Sequence, residues 1–365
     1  MIQLSSYITE AQVLMAQELI NQSNNVVILT HMSPDGDAMG SSLAIRHFLE
    51  AQGKQVNVIV PNAFPDFLAW LPKADLHIIY ESNRQEADAI LERADLVICT
   101  DFNDPKRIGS LGDKMLSLSC KKMMIDHHLH PADFPDLTIS YPACPSTCEL
   151  VYRLICELQR SDLPSTGVAD LQRSDLTNIA TCIYTGMMTD TGNFSFNSNH
   201  AEMYQIISEL VAAGVDKDAI YNRVFNAYSA DRMRLMGYCL YQKMKIFPEH
   251  HTALIYLSRK ELYRFNFQSG DAEGIVNLPL QIKDVYYSVF MREDKVNPSE
   301  VGLAGGSKNK IKISLRSQGD RPVNVFAKDI FGGGGHANAS GGEYYGPLPE
   351  AVQRFMDNYQ DYFVL

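Results

Sequence analysis

The residues best suited to chemistry in this chain lie in one short segment, residues 30–41, with the sequence THMSPDGDAMGS. His31, Asp35 and Asp37 place an imidazole and two carboxylates in a single turn, and all three are ligand groups for divalent metal ions. A proline and a glycine within the segment suit a tight turn that could aim these side chains at one point. The pattern is also compatible with a solvated turn in which Asp37 caps the following helix. The segment alone therefore leaves metal binding and helix capping open.

Three later segments each end an apolar run in further ligand groups. The first run is followed by Asp101, the second by Asp126, His127 and His128, and the third by Asp190. In an open parallel sheet the ligand-binding crevice lies outside the carboxyl ends of the strands. We therefore expect these side chains to converge on the turn that carries His31, which favours a metal centre over a capping turn.

The elements that must position these residues alternate between strands and helices along the first half of the chain. Apolar runs bounded by turn residues predict strands at residues 26–29, 55–60, 76–80, 96–100 and 123–125. Helical spacing of apolar residues predicts helices at residues 38–51, 86–93, 105–118, 146–159, 176–188, 199–213, 216–225 and 230–245. Further strands are predicted at residues 253–257, 285–291 and 311–315, followed by a helix at 323–330. Such alternation predicts an α/β fold with a mainly parallel sheet in the first half.

Together these motifs resemble the DHH phosphoesterase superfamily. Four motifs appear in its order: His31-x-x-Pro34-Asp35-Gly36-Asp37, Asp101, Asp126-His127-His128, and Asp190-Thr191-Gly192. A fifth, FGGGGHANASG at residues 331–341, resembles the nucleotide-binding loop of the associated DHHA1 domain. The resemblance implies a DHH catalytic domain at 1–214, a helical linker at 215–250 and a smaller α/β DHHA1 domain at 251–365. It also implies an active site in the cleft between the domains.

The resemblance implies a centre of two divalent ions. The mixed nitrogen and carboxylate donors suit Mn²⁺, and four carboxylates are more than one ion needs. In relatives of this kind the ions lie about 3.5–4 Å apart and activate a water for attack on phosphorus. The implied ligands are His31 and Asp35 for one ion, Asp37, His127 and Asp190 for the other, and Asp101 as the bridge. His128 is the implied contact to phosphate or proton donor to the leaving oxygen, and Asp126 the group that orients an imidazole.

Other residues are candidates for binding the substrate. The glycine-rich loop could bring backbone amides close to a phosphate, although a run of glycines can also be a plain flexible loop. Arg107 could contact a phosphate or merely cap a surface, and the sequence leaves both open. The expected substrate-binding residues are Arg107, Arg316, Gly333, Gly334, Gly335 and His336.

Composition limits the substrate and the compartment. The chain has 365 residues, 45% of them hydrophobic, which suffices for two globular domains. Its formal charge of −11 leaves little room for the broad basic surface that tracks long nucleic acid, so the expected partners are short RNA oligonucleotides and small phosphorylated nucleotides.

Seven scattered cysteines, no targeting segment and no membrane-spanning run predict a cytoplasmic protein. Cys144 and Cys148, although one helical turn apart, are expected to be structural.

The resemblance is closest to nanoRNases that also act on 3'-phosphoadenosine 5'-phosphate (pAp). It implies hydrolysis of di- to pentanucleotides to mononucleotides, of pAp to AMP, or both, by an exonuclease that does not bind long duplexes. The alternatives are a phosphodiesterase on cyclic dinucleotides or their linear products, a pyrophosphatase or exopolyphosphatase, a RecJ-type exonuclease, and an inactive nucleotide-binding protein. A complete ligand set disfavours the last. The sequence leaves open the preferred substrate, the direction of cutting, the physiological metal, and whether the protein is a monomer or a homodimer.

Overall fold

The computed structural model describes residues 7–160, 172–268, 270–295 and 309–363. The chain divides into two compact units, Met1–Ala227 and Tyr228–Leu365. Each unit combines helices with one six-stranded sheet, so the predicted two-domain α/β organisation is confirmed. The narrower limits proposed for the catalytic domain, the linker and the second domain stay a prediction.

The first unit contains six strands and eight α-helices among its described residues. The strands are β1 (Asn25–Leu29), β2 (Gln55–Val60), β3 (Ile78–Ile79), β4 (Leu96–Thr100), β5 (Lys121–Asp126) and β6 (Leu137–Ser140). The helices are α1 (Glu10–Asn21), α2 (Gly36–Ala51), α3 (Arg84–Leu91), α4 (Ser110–Ser117), α5 (Thr147–Leu158), α6 (Arg173–Asp190), α7 (Ala201–Ala212) and α8 (Lys217–Phe225).

All pairings in the first sheet are parallel, and its strand order is β3-β2-β1-β4-β5-β6. Both faces are covered. Val26 and Ile28 of β1 pack into the core that includes α2, α5 and α6, while Val27 and Leu29 pack into the core that includes α3 and α4. The chain leaves β1 toward β2 and leaves β4 toward β5, so the order reverses between β1 and β4. This is the switch point at which α/β sheets bind ligands, and the turns carrying His31 and Asp101 lie there.

Two helices meet closely beside this switch point. Asp37 lies in the first turn of α2, and Asp190 is the last residue of α6. The two helices can approach because position 186 is glycine: a Cβ there would lie 2.2 Å from the Cys148 sulfur and 2.9 Å from Asp37 Oδ1. The close approach brings the end of α6 to the start of α2, which places both carboxylates at the same edge of the sheet.

The second unit contains six strands and four α-helices among its described residues. The strands are β7 (Lys245–Phe247), β8 (Thr252–Leu257), β9 (Tyr287–Lys295), β10 (Asn309–Ser317), β11 (Gly334–Gly335) and β12 (Ala339–Tyr345). The helices are α9 (Ala230–Tyr238), α10 (Arg259–Arg264), α11 (Asn324–Phe331) and α12 (Leu348–Tyr362). The strands form a mixed sheet of order β11-β12-β10-β9-β8-β7, in which only the β8–β9 pair is parallel. Helices α11 and α12 pack on one face, against Ile311, Ile313 and Leu315 of β10.

Some predicted elements were wrong in extent. The helix expected over 105–118 is split into a 3₁₀ turn, Pro105–Ile108, and α4, because Gly109 adopts a left-handed φ of 57° that no regular helix contains. The strand expected over 76–80 is only Ile78–Ile79, and β6 was not predicted. No helix formed by the described residues combines the length and the apolar character needed to cross a membrane.

The packing at Gly186 generates a prediction about stability. Gly186→Ala should destabilise the protein by about 1–3 kcal/mol, because the added methyl group overlaps Cys148 and Asp37 in a packed core. Gly237→Ala is the matched control: its Cβ meets nothing within 4 Å, and alanine is the better helix former within α9. Denaturant unfolding of both variants checks this. Unfolding of Gly186→Ala at the wild-type midpoint would contradict the close packing.

Candidate metal centre

The turn after β1 and the first turn of α2 carry three of the predicted ligands to the edge of the first sheet. His31 Nδ1 lies 3.0 Å from the Met32 carbonyl oxygen, so Nδ1 is the donor and Nε2 can accept from or ligate a partner. Nε2 lies 3.8 Å from Asp35 Oδ1. The same Asp35 oxygen accepts the amide hydrogens of Asp37 and Ala38 at 3.0 and 3.1 Å. The helix cap is therefore Asp35, whereas the sequence had offered Asp37 for that role.

Asp101 lies between His31 on one side and the neighbouring His127 and His128 on the other. Its Oδ2 is 3.3 Å from His31 Nε2, and its Oδ1 is 3.7 Å from both His127 Nε2 and His128 Nδ1. Its φ of 63° is in the left-handed region, which costs on the order of 1 kcal/mol for a residue with a side chain. A single buried carboxylate thus faces both sides of the cluster, as the predicted bridge requires.

Asp37, His127 and Asp190 form the other side of the cluster. His127 Nε2 lies 3.9 Å from Asp37 Oδ2 and 3.5 Å from Asp190 Oδ2. His127 Nδ1 lies 3.0 Å from the Cys144 carbonyl oxygen, so it must donate, and Nε2 is the nitrogen that faces the carboxylates. All six predicted ligands are therefore brought together, with Asp101 common to both sides.

The adjacent histidine has different partners. Asp126 Oδ1 lies 2.7 Å from His128 Nδ1, and Asp126 Oδ2 accepts the backbone amide of His128 at 2.9 Å. Asp126 is fully buried, so this pair fixes the orientation of the His128 ring. Burial, and then the positive charge of Arg107, hold the pKa of His128 well below its usual value. The positive charge of Arg107 thus acts on the His128 imidazole. His128 is the residue predicted to contact a phosphate.

The electrostatics of the cluster indicate a need for positive charge. Burial, followed by the charges of Asp101 and Asp190, raises the pKa of Asp37 well above its usual value. Burial opposes protonation of His31, yet hydrogen bonds to Asp101 and Asp35 raise its pKa to about 10. Burial alone would raise the pKa of Asp101, but the hydrogen bond with His31 keeps it below its usual value. The four carboxylates repel one another in this small volume, and a bound cation would reduce that repulsion.

The donor set fits a divalent cation. Ligand atoms of His31, Asp35 and Asp101 lie within 4.8 Å of one another, and so do those of Asp37, Asp101 and His127. The donors are imidazole nitrogens and carboxylate oxygens, which suit Mn²⁺ and similar ions. Burial raises the pKa of the Cys144 and Cys148 thiols, which opposes thiolate ligation and agrees with their predicted structural role.

The sequence motifs do not include the groups that form hydrogen bonds to the ligands. These are the Cys144 carbonyl group, just before α5, and the Thr147 hydroxyl and amide groups and the Cys148 amide group at the start of α5. A signal was present, because Ser146 is a typical N-cap residue before a helical pattern and helix N-termini attract carboxylates. The sequence does not indicate which carboxylates lie at the N-terminus of α5.

The predicted substrate-binding residues of the second unit lie on β10 and in the loop around β11. Arg316 is half-buried near the end of β10, and its Nη1 donates to the Leu315 carbonyl group at 2.9 Å. The amides of Gly333 and His336 donate to the carbonyl groups of Ala327 and Ala339. A Cβ at position 333 would lie 1.8 Å from the Gly341 carbonyl oxygen, so the loop needs glycine there for its packing on β12. A phosphate-binding role for Gly333, Gly334, Gly335 and His336 stays a prediction.

Comparisons with known proteins agree with the geometry. Residues 25–187 match the model described as DHH family, N-terminal domain, and residues 255–364 match the DHHA1 domain. The bifunctional oligoribonuclease and PAP phosphatase NrnA of Thermus thermophilus is 28% identical, over 94% of this chain and 92% of that protein. The cyclic-di-AMP phosphodiesterase PdeA of Listeria monocytogenes is 24% identical, over 89% of this chain and 45% of that protein. The crystal structure of an exopolyphosphatase-related protein from Bacteroides fragilis superposes with a TM-score of 0.86, at 47% identity over 98% of each chain.

The different surroundings of the two neighbouring histidines generate a prediction. His127→Ala should lose metal affinity, because its Nε2 faces three carboxylates. His128→Ala should keep its metal and lose kcat by about 10²–10⁴-fold if the imidazole transfers a proton. Calorimetric titration of Mn²⁺ into each metal-stripped variant, with kcat at saturating metal, separates the two roles. Equal losses of metal affinity in both variants would contradict the assignment.

Proposed function

Because the chain belongs to the DHH family of phosphoesterases, with a DHHA1 domain after its DHH domain, we propose that it hydrolyses short phosphorylated nucleotides. The substrates are di- to pentanucleotides, cut to mononucleotides, and pAp, cut to AMP. The observation that carries the proposal is the Asp101 carboxylate shared between His31 and His127, because two groups of ligands with a common bridge are what a two-metal phosphoesterase needs.

The ligand roles follow from the contacts around Asp101. We propose His31 and Asp35 as ligands of one ion, Asp37, His127 and Asp190 as ligands of the other, and Asp101 as the bridge. When bound, two divalent ions, with Mn²⁺ the best suited, would activate water and neutralise charge on the phosphoryl oxygens. Asp35 and Asp190 have side chains that are 49% and 28% exposed, so the substrate side of the centre lies at these two residues.

His128 and Arg107 act on the substrate in this proposal. His128 Nδ1 is committed to Asp126, so Nε2 is the nitrogen that can contact a phosphate oxygen or give a proton to the leaving oxygen. Burial and Arg107 lower the pKa of His128, and the Asp126 carboxylate opposes them by stabilising the imidazolium form whenever Nε2 holds a proton. The guanidinium group of Arg107 supplies a positive charge that acts on this imidazole, and that charge suits an anionic substrate.

The second unit supplies the positive charge that the first lacks. Residues 1–227 contain 15 Lys and Arg against 28 Asp and Glu, a net charge of −13, whereas residues 228–365 contain 17 against 15, a net charge of +2. Lys312 and Arg316 alternate along β10 with core residues and so lie on the opposite face of the sheet. Burial, and then the charge of Arg292, lowers the pKa of Lys312, whose ammonium group also lies 3.5 Å from Asp294 Oδ2. We propose that this face, with His336, binds the substrate.

A second candidate function is cleavage of cyclic dinucleotides or their linear products. It is favoured by the similarity to a cyclic-di-AMP phosphodiesterase, but the chain spans only 45% of that relative's length, against 92% of the oligoribonuclease and PAP phosphatase. Linear dinucleotides are substrates in both cases. The relation to an exopolyphosphatase-related protein makes polyphosphate a further substrate to test.

The test compares substrates in one preparation. Metal-stripped protein restored with Mn²⁺ should hydrolyse pAp and a 5'-phosphorylated dinucleotide with higher kcat/KM than cyclic-di-AMP, a long RNA, pyrophosphate or polyphosphate. Polyphosphate as the best substrate, or a long RNA degraded as fast as the dinucleotide, would contradict the proposal.

The seven cysteines are free, which is consistent with the cytoplasm as the place of this reaction.

A variant of the second unit tests its role in substrate binding. Arg316→Ala should raise KM for pAp and dinucleotides by about 10- to 100-fold, since a hydrogen bond to a charged group contributes about 1.5–3 kcal/mol. His336→Ala should act in the same direction, and both variants should keep their metal. Arg354→Ala, which removes a charge from α12 on the core side of the sheet, is the matched control. Unchanged KM in both variants, or the same loss in the control, would exclude the proposed binding face.

A further inference from the structure

The start of α5 contacts two of the proposed ligands directly. The Thr147 amide donates to Asp37 Oδ2 at 2.6 Å, and the Cys148 amide donates to Asp37 Oδ1 at 2.9 Å. The Thr147 hydroxyl lies 2.9 Å from Asp101 Oδ1 and must donate, because a carboxylate only accepts. One residue thus bonds to carboxylates that reach the centre from two different elements, the first turn of α2 and the end of β4.

The bond from the Thr147 hydroxyl determines how the Asp101 carboxylate is rotated. Asp101 Oδ2 lies toward His31 Nε2, and Oδ1 lies toward His127 Nε2 and the Thr147 hydroxyl. A carboxylate turns easily about its terminal bond, because that torsion has broad minima. A donor fixed on the Oδ1 side keeps one oxygen directed at each histidine, which is the orientation that a bridging carboxylate needs.

Helix capping does not explain the Thr147 hydroxyl. Ser146 is the N-cap of α5, and its Oγ accepts the amide hydrogen of Glu149 at 3.1 Å. Thr147 is the next residue, within the helix, where its side chain is not needed for capping. It is fully buried, and its hydroxyl bonds to a carboxylate of the centre. The role of this hydroxyl is therefore to be sought in the centre.

We infer that Thr147 is a positioning residue of the metal centre, whose hydroxyl holds Asp101 in the bridging orientation while its amide and that of Cys148 hold Asp37. Each amide donates to one oxygen of Asp37, which leaves further lone pairs on both oxygens for a metal ion. The inference rests on the proposed function only in that Asp37 and Asp101 are taken as metal ligands. Hydrogen-bond partners of ligands typically change metal affinity by about 10- to 100-fold when they are removed.

The experiment compares four variants of the full chain. Thr147→Val keeps the branched shape and the amide but removes the hydroxyl, and Thr147→Ser keeps the hydroxyl. Thr147→Ala differs from the serine variant by the hydroxyl alone and replaces the valine variant as the test if the latter does not fold. Ser146→Ala is the matched control, because it removes the helix cap without touching a carboxylate. For each variant, Mn²⁺ affinity is measured by calorimetry on chelator-stripped protein, with melting temperature, kcat and KM.

The expected result is a loss of Mn²⁺ affinity by about 10- to 100-fold in Thr147→Val and Thr147→Ala, with recovery in Thr147→Ser. At saturating metal, kcat should fall and KM should change little. Ser146→Ala should lower the melting temperature and keep the metal affinity. Wild-type affinity in the valine and alanine variants, equal loss in the serine variant, or the same loss in Ser146→Ala would overturn the inference. Metal affinity is measured without substrate, so failure of the proposed substrate class leaves this test intact.

Discussion

The carboxylate of Asp101 is the constraint on which the rest of the site depends. It is buried, and its two oxygens lie 3.3 Å from one histidine nitrogen and 3.7 Å from another. A negative charge in that position is expensive unless positive charge surrounds it. The strand order places Asp101 at the switch point beside the turn of His31, and the close approach of α6 to α2 brings two more carboxylates to the same place. The fold thus brings together carboxylates that repel one another, and bound cations would reduce that repulsion.

The two units have complementary charge. The first concentrates carboxylates that suit metal ions but repel an anionic substrate, and its net charge is −13. The second is close to neutral and carries Lys312 and Arg316 on the sheet face opposite α11 and α12. Under the proposed function, the second unit would supply the cationic groups with which a chain of net charge −11 binds phosphorylated molecules. The same proposal favours small substrates, since long nucleic acid needs a continuous basic surface.

The sequence was most informative where a ligand directly follows a buried strand. His31, Asp101 and His127 follow β1, β4 and β5, and apolar runs ending in ligand groups predicted their convergence.

The sequence was least informative where contacts depend on how helices pack. The bond from Thr147 to Asp101 joins residues 46 positions apart, and it exists only because α5 begins beside Asp101. The sequence left a capping role for Asp37 open, whereas the cap of α2 is Asp35, a choice that depends on the backbone conformation of the turn. The break at Gly109 likewise depends on one left-handed residue.

The most direct test of this account is the metal stoichiometry of Asp101→Ala. Metal-stripped wild-type protein titrated with Mn²⁺ should bind about two ions per chain, and electron paramagnetic resonance should detect them as a magnetically coupled pair. Asp101→Ala should lose the coupled signal and bind at most one ion with high affinity, because the group that joins the two sides of the cluster is gone. A variant that still binds two coupled ions with wild-type affinity would contradict the central role given to this carboxylate.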